Sequence, residues 1–237
     1  MHKNSYTFFF AASVTITCSL LLASAATLLR NRQLENEALD KRKNILASVG
    51  ITGNTGQPLQ RKEILQLYDE NIKSMVINLQ GQKVPDKQVE DLDEKKDKDL
   101  LPLYYAYKND NVTAYILPIS GKGLWSTVYG YLALESDGIT VKGITFYKHG
   151  ETPGLGGEID KQWFKDGFKG KKIISPSGDL VSVDIVKGKV AERVAPDEAY
   201  HYVDGISGAT LTGNGVTKFL KTDLLKYEPY LKQIRQE

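Results

Sequence analysis

The chain is poor in the residues that make staples and metal sites. Its 237 residues include one cysteine and three histidines. A lone Cys18 cannot close an intrachain disulfide, and it cannot supply a cysteine-based metal site. His2, His149 and His201 are scattered, and the nearby acids lack ligand spacing, so no metal centre is expected. An excess of one charge is also missing. With 31 Lys and Arg against 29 Asp and Glu the net charge is +2, which leaves no broad electrostatic footprint for nucleic acid. The usual nucleotide fingerprints are absent as well. Gly154-Leu155-Gly156-Gly157 begins like G-x-G-x-x-G, but Ile159 occupies the third glycine position and no βαβ unit follows. No G-x-x-x-x-G-K-S/T string occurs.

What is present begins with a long apolar run. Residues 7–29 are 23 residues without a charge, flanked by Lys3 and by Arg30 and Arg32. At about 1.5 Å rise per residue this length crosses a hydrocarbon core of about 30 Å with some tilt. Residues 1–32 therefore read as a single-pass membrane anchor. A cleaved secretory signal ending at Ala23-Ser24-Ala25 is the competing reading. A lipidated Cys18 is disfavoured, because Thr15-Ile16-Thr17 is a poor approach to it. Arg30, Arg32, Lys41, Arg42 and Lys43 outnumber Lys3, so charge alone puts the following domain inside, a bias that long translocated domains override.

Residues 33–99 read as a helical and charged connecting region. A helix leaving the membrane is expected to about residue 49. The spacing of Ile64, Leu65, Leu67, Ile72, Met75 and Val76 predicts a second helix over 62–79. Residues 85–99 are almost all charged, as in a solvated loop or surface helix. From 100 to 237 the character turns to β. A hairpin is expected around residues 108–111 and another around Asp137-Gly138, where a type I′ turn needs positive φ at both central positions. A third is expected to turn near Lys187-Gly188. Residues 161–168 predict a short helix with Trp163 and Phe164 facing inward. Residues 214–236 predict a helix with Val216, Phe219, Leu220, Leu224 and Tyr227 on one stripe and a break at Pro229. Strands in meander order with helices at the ends describe an α+β domain whose sheet is mainly antiparallel and flanked by helices.

Three glycine-containing segments remain, at 121–126, 149–157 and 204–213, and all three are expected as loops at one rim of the sheet. Tight backbones let a planar ligand approach the main chain, and Trp125 could shield it or stack on it. Thr210 and Thr212 stand just before the predicted final helix, whose free N–H groups and positive dipole end favour a phosphate. Lys122 and Lys218 are candidates to offset that charge. A flat ring joined to a phosphate describes a flavin nucleotide. Each residue also has a structural reading: Thr210 as a helix cap, Asp204 as a turn acid, Glu151 as a surface carboxylate, Trp125 and Tyr129 as core.

The string Asp204-Gly205-Ile206-Ser207-Gly208-Ala209-Thr210 resembles the D-x-x-S/T-G-A-T motif at which a flavin transferase attaches FMN through a phosphoester to the final threonine. The apolar span, GKGLWS, ETPGLGG and DGISGATLTGNGV, in that order over nearly the whole chain, are similar to the C subunits of the bacterial sodium-translocating NADH:quinone oxidoreductase. That resemblance implies one covalent FMN on Thr210, with Asp204, Ser207, Gly208 and Ala209 around it. It puts Glu151, Thr152, Gly154, Leu155, Gly156 and the Trp125 region against the isoalloxazine, with Lys122 counted among the cofactor-binding residues for the phosphate charge. It implies transfer of single electrons to an FMN-bearing B-type subunit on the way to ubiquinone, with D- and E-type membrane subunits as further partners. The chemistry would then lie on the flavin and not on a catalytic side chain, in a subunit inactive alone. The flavin domain would lie on the periplasmic side of the bacterial inner membrane. Two other readings stay open: the G-type subunit of the ferredoxin-linked electron-transport complex, and a membrane-anchored binding module without redox activity.

Overall fold

The structure is a computed structural model that describes residues 4–53, 59–93, 96–109 and 111–236. The chain forms two compact units, Met1–Asp40 and Lys41–Glu237. Helix α1 runs over Asn4–Ser48 without interruption, so the expected span and the helix that follows it are one element. By length and composition it is apolar enough to cross a membrane. The flanking Lys3 lies outside the described residues.

In the second unit, α2 covers Arg61–Asn71 and starts with a capping box in which Gln60 N–H donates to the Glu63 carboxylate at 2.8 Å. The helix expected to continue to residue 79 stops at Asn71. Residues Ile72–Asn78 form strand β1 instead, pairing antiparallel with β2 (Leu100–Lys108) from Ile72↔Ala106 to Asn78↔Leu100. The reason is tertiary. An edge position on an apolar sheet buries Ile72, Val76 and Ile77, and the β-branched side chains suit a pleat better than a helical turn. Residues 85–99 are loop apart from one 3-10 turn at Val89–Asp91, with Glu94 and Lys95 outside the described residues.

Strands β3 (Asn111–Lys122), β4 (Thr127–Glu135) and β5 (Val141–Lys148) complete a five-stranded antiparallel meander in chain order. The β2–β3 turn falls where expected, with Asn109 at φ 51°; Asp110 lies outside the described residues. The β4–β5 connection is not the expected type I′ turn. Only Gly138 takes positive φ, and the Asp137 carboxylate accepts from Ile139 N–H, Thr140 N–H and Thr140 Oγ1, closing a longer loop.

Helix α5 (Thr210–Ile234) covers one sheet face. Its predicted stripe of Val216, Phe219, Leu220, Leu224 and Tyr227 is buried against Leu103, Leu117, Ile119, Leu132 and Leu134. Polar ties set its height. The Asp223 carboxylate accepts from Ser120 N–H at 2.7 Å, and Tyr227 Oη donates to the Pro102 carbonyl at 2.9 Å. Pro229 does not break the helix. The turn beyond it buries Tyr230 and Leu231, a gain that outweighs one missing hydrogen bond.

Two further expectations change. Helix α3 (Gln162–Asp166) buries Phe164 but leaves Trp163 52% exposed, because adjacent helical residues point about 100° apart. The third hairpin does not form. Strand β6 (Asp184–Ile185) pairs in parallel with β7 (Tyr202–Val203), and the chain between them turns at Gly188 (φ 93°) into α4 (Val190–Arg193).

Candidate functional site

The loop after β3 (residues 123–126) and the segment after β5 (149–157) leave the same end of the sheet, since Lys122 pairs with Thr127 and Lys148 with Tyr129. The third glycine segment comes from elsewhere: it follows β7 in the small parallel pair and runs into α5. The three meet because side chains are missing at the contacts. A Cβ on Gly123 would lie 2.6 Å from Glu151 Oε1. A Cβ on Gly156 would collide with Thr212 Oγ1, and one on Gly215 would lie 2.5 Å from the Lys122 carbonyl. The crowding of small residues is therefore first a packing requirement.

Glu151 locks the junction. It is 5% exposed and accepts four hydrogen bonds: from Thr212 Oγ1 at 2.7 Å, Trp125 N–H at 3.0 Å, and Ser126 and Leu124 N–H at 3.2 Å each. Burial alone raises a carboxyl pKa, but the Thr212 hydroxyl and the three amides favour the charged form and hold Glu151 below the usual glutamate range. Its own N–H donates to His149 Nδ1 at 3.3 Å. Glu151 is thus the buried centre of the site and not a surface carboxylate.

Above it lies an open cleft of about 340 Å³, within the span of about 300–1,000 Å³ of small-molecule sites. Leu124, Trp125, Leu155 and Leu211 supply apolar walls, while Thr152, Gly156, Gly208, Ala209, Thr210 and Thr212 supply backbone and hydroxyls. Trp125 is 70% exposed, a rim residue and not core. Thr210 and Thr212 do not precede the helix but form its first turn, with Ala209 at the cap position. They differ sharply. Thr212 is buried on Glu151, whereas Thr210 is exposed, in a first turn whose N–H groups lack helical acceptors.

The cleft gathers Trp125, Glu151, Thr152, Leu155, Gly156, Gly208, Ala209 and Thr210 of the expected set. Lys122, Gly154, Asp204 and Ser207 do not line it. Gly154 takes φ 74° in the turn below Leu155 and Ser207 is exposed before the cap. Asp204 faces the other way, accepting from Val190 N–H at 2.8 Å and Lys189 Nζ at 2.9 Å, which keeps its pKa low. Sequence reasoning passed over Thr212 as the partner of Glu151, and over Leu124 and Leu211 as walls. Their adjacency to Trp125 and Thr210 was the one available signal.

Residues 123–224, which contain this cleft, match the FMN-binding domain family. The chain is 37% identical to the C subunit of the Na+-translocating NADH-quinone reductase from Pseudomonas aeruginosa, over 95% of this chain and 94% of that one. It is 35% identical to the Yersinia pestis C subunit over 93% and 89%. The chain belongs to the family of C subunits of Na+-translocating NADH-quinone reductases. A solved structure of the C subunit from Parabacteroides distasonis superposes with a TM-score of 0.73 at 36% identity, covering 86% of this chain and 96% of that one. Shewanella oneidensis NqrC superposes with a TM-score of 0.71 at 27% identity, covering 85% and 100%. Within this family fold, the residues present fit a flavin nucleotide on two counts: an apolar cleft walled by Trp125 and three leucines takes a flat ring, and an exposed helix-terminal hydroxyl adjoins it.

Proposed function

We propose that this chain is the FMN-carrying, electron-relaying subunit of a Na+-translocating NADH-quinone reductase, with FMN joined to Thr210 Oγ1 through a phosphoester. The observation that carries the attachment point is the contrast between the exposed Thr210 and the buried Thr212, two residues apart on one cleft wall. Family membership supports the cofactor and the complex. When bound, the flavin supplies the redox chemistry. The protein supplies apolar walls for the ring, an attachment hydroxyl and the positive end of α5 beside the phosphate. Glu151 keeps the three loops in register and is a positioning residue. The reading places helix α1 in the membrane as an anchor, the flavin domain on its periplasmic side, and a flavin transferase there for maturation. Electrons would leave to an FMN-bearing B-type subunit, with D- and E-type membrane subunits alongside. Sodium movement falls to those partners, since residues 7–29 hold no ionisable side chain but that of Cys18.

The test is coexpression of the full chain with a matching flavin transferase, followed by denaturing electrophoresis under ultraviolet light. A fluorescent band in wild type and Thr212→Ser, absent in Thr210→Ala, is the expected result. A dark wild-type band beside a loaded control acceptor overturns it and leaves a binding module.

A further inference from the structure

The wall that carries Thr210 borders two concavities. Adjoining the apolar cleft is a narrow groove, lined by Lys187, Gly205, Ile206 and Asn214 among others, that shares Ala209 and Thr210 with it. The groove holds about 10 Å³, room for a group the size of one water molecule and far too little for a ring. A phosphoryl oxygen on Thr210 has that size. Lys187 is the cation on this side, it is exposed, and no ion pair engages it among the described residues. The neighbouring lysines are otherwise placed. Lys189 is paired with Asp204 at 2.9 Å, Lys122 lines neither concavity, and Lys218 sits eight residues along α5, about 12 Å up the axis.

The turn that carries Lys187 is pinned to the strand leading into Thr210. Gly205 N–H donates to the Gly188 carbonyl at 2.8 Å and Val186 N–H to the Val203 carbonyl at 3.0 Å. Gly205 lets this happen, since a side chain there would collide with the Val186 carbonyl. Asp204 clamps the far side of the same turn through Val190 N–H and Lys189. The acid that opens the DGISGAT string thus acts on residues 187–190 and not on the cleft.

Resting on the flavin reading above, we infer that Lys187 is the counter-ion of the Thr210-linked phosphate, and that Asp204 is a positioning residue that holds the lysine-bearing turn against it. The ammonium and the first-turn amides of α5 flank one anion from two directions. This assigns charge compensation to a residue outside the glycine motifs, and it replaces Lys122 and Lys218 in that role.

The experiment follows covalent loading of the full chain by the transferase, using in-gel fluorescence against time at 50 mM and 500 mM salt, together with the ³¹P resonance of the loaded protein. Wild type, Lys187→Gln, Lys187→Arg, Asp204→Asn and Lys218→Gln are compared. Loading of Lys187→Gln is expected to be roughly three- to tenfold slower at low salt, with the gap narrowing as screening grows. Its ³¹P resonance should move, Lys187→Arg should recover most of the rate and Asp204→Asn should fall between. Lys218→Gln should match wild type. Wild-type loading and an unmoved ³¹P resonance in Lys187→Gln overturn the inference, as does a slower rate with the resonance unmoved, which would make Lys187 a transferase contact. A wild type that does not load, beside an active control, fails the flavin reading itself and this inference with it.

Discussion

Thr212 Oγ1 donates to Glu151 Oε2 at 2.7 Å, tying the first turn of α5 to the loop after β5 across 61 residues of sequence. Through the same carboxylate the bond reaches the amides of Leu124, Trp125 and Ser126, so one buried charge joins all three glycine segments. Removing the acceptor strands four donors. Glu151→Ala is expected to lower the unfolding free energy of the folded domain by about 2–4 kcal/mol, read as a shift of the urea midpoint. An unchanged midpoint would show that water replaces the carboxylate without loss.

The same residue predicts a pH effect. The Glu151 pKa lies below the ordinary value of 4.5 in the folded chain, so its stabilisation is fully present above about pH 4.5 and fades as pH falls through the folded value. Other carboxylates with depressed values, such as Asp204 and Asp137, add their own acid sensitivity. The comparison is therefore between wild type and Glu151→Gln. The difference in their stabilities should be constant near neutrality and shrink below pH 4.5. A difference that stays constant to pH 3 contradicts the depressed pKa.

Two glycines in one loop should respond differently to alanine. A Cβ at Gly156 meets Thr212 Oγ1 and, at 2.9 Å, Glu151 Oε2, so Gly156→Ala should disrupt the central hydrogen bond, cost about 1–3 kcal/mol and slow flavin loading. At Gly154 nothing lies within 4 Å and only the φ of 74° is strained, so Gly154→Ala should cost about 1 kcal/mol and leave loading close to wild type. Thermal melts and the fluorescence assay separate the two. Equal losses would place the constraint in the loop backbone and not in the packing.

Adjacent aromatic residues give a matching contrast in α3. Phe164 is 1% exposed within an aromatic cluster with Phe146 and Phe168, and Phe164→Ala should cost about 3–5 kcal/mol. Trp163 is half exposed and its replacement by alanine should cost well under half as much. Denaturant unfolding of both variants decides it, and a larger loss for Trp163 would reverse the assignment of the buried face.

Much of the fold could be read locally. The meander order follows from the turn signals at residues 108–111 and at Asp137-Gly138, the stripe on α5 from the periodicity of Val216, Phe219 and Leu220, and the apolar span from the uncharged run over 7–29. The readings that changed all depended on partners distant in sequence. Ile72 and Val76 suited either a helix face or an edge strand until β2 was there to pair with. Pro229 would end an isolated helix, yet Tyr230 and Leu231 have a core to enter.

By itself, the sequence determined the α+β class, the anchor-length run and the cluster of candidate residues around Thr210, because periodicity, uncharged length and motif spacing are properties of neighbouring positions. Only the tertiary structure decided which threonine is exposed, that Glu151 is buried, and that Asp204 faces the Lys187 turn and not the cleft. Those outcomes depend on hydrogen bonds between segments from 14 to 61 residues apart, whose closure requires the folded sheet and α5 to bring them together.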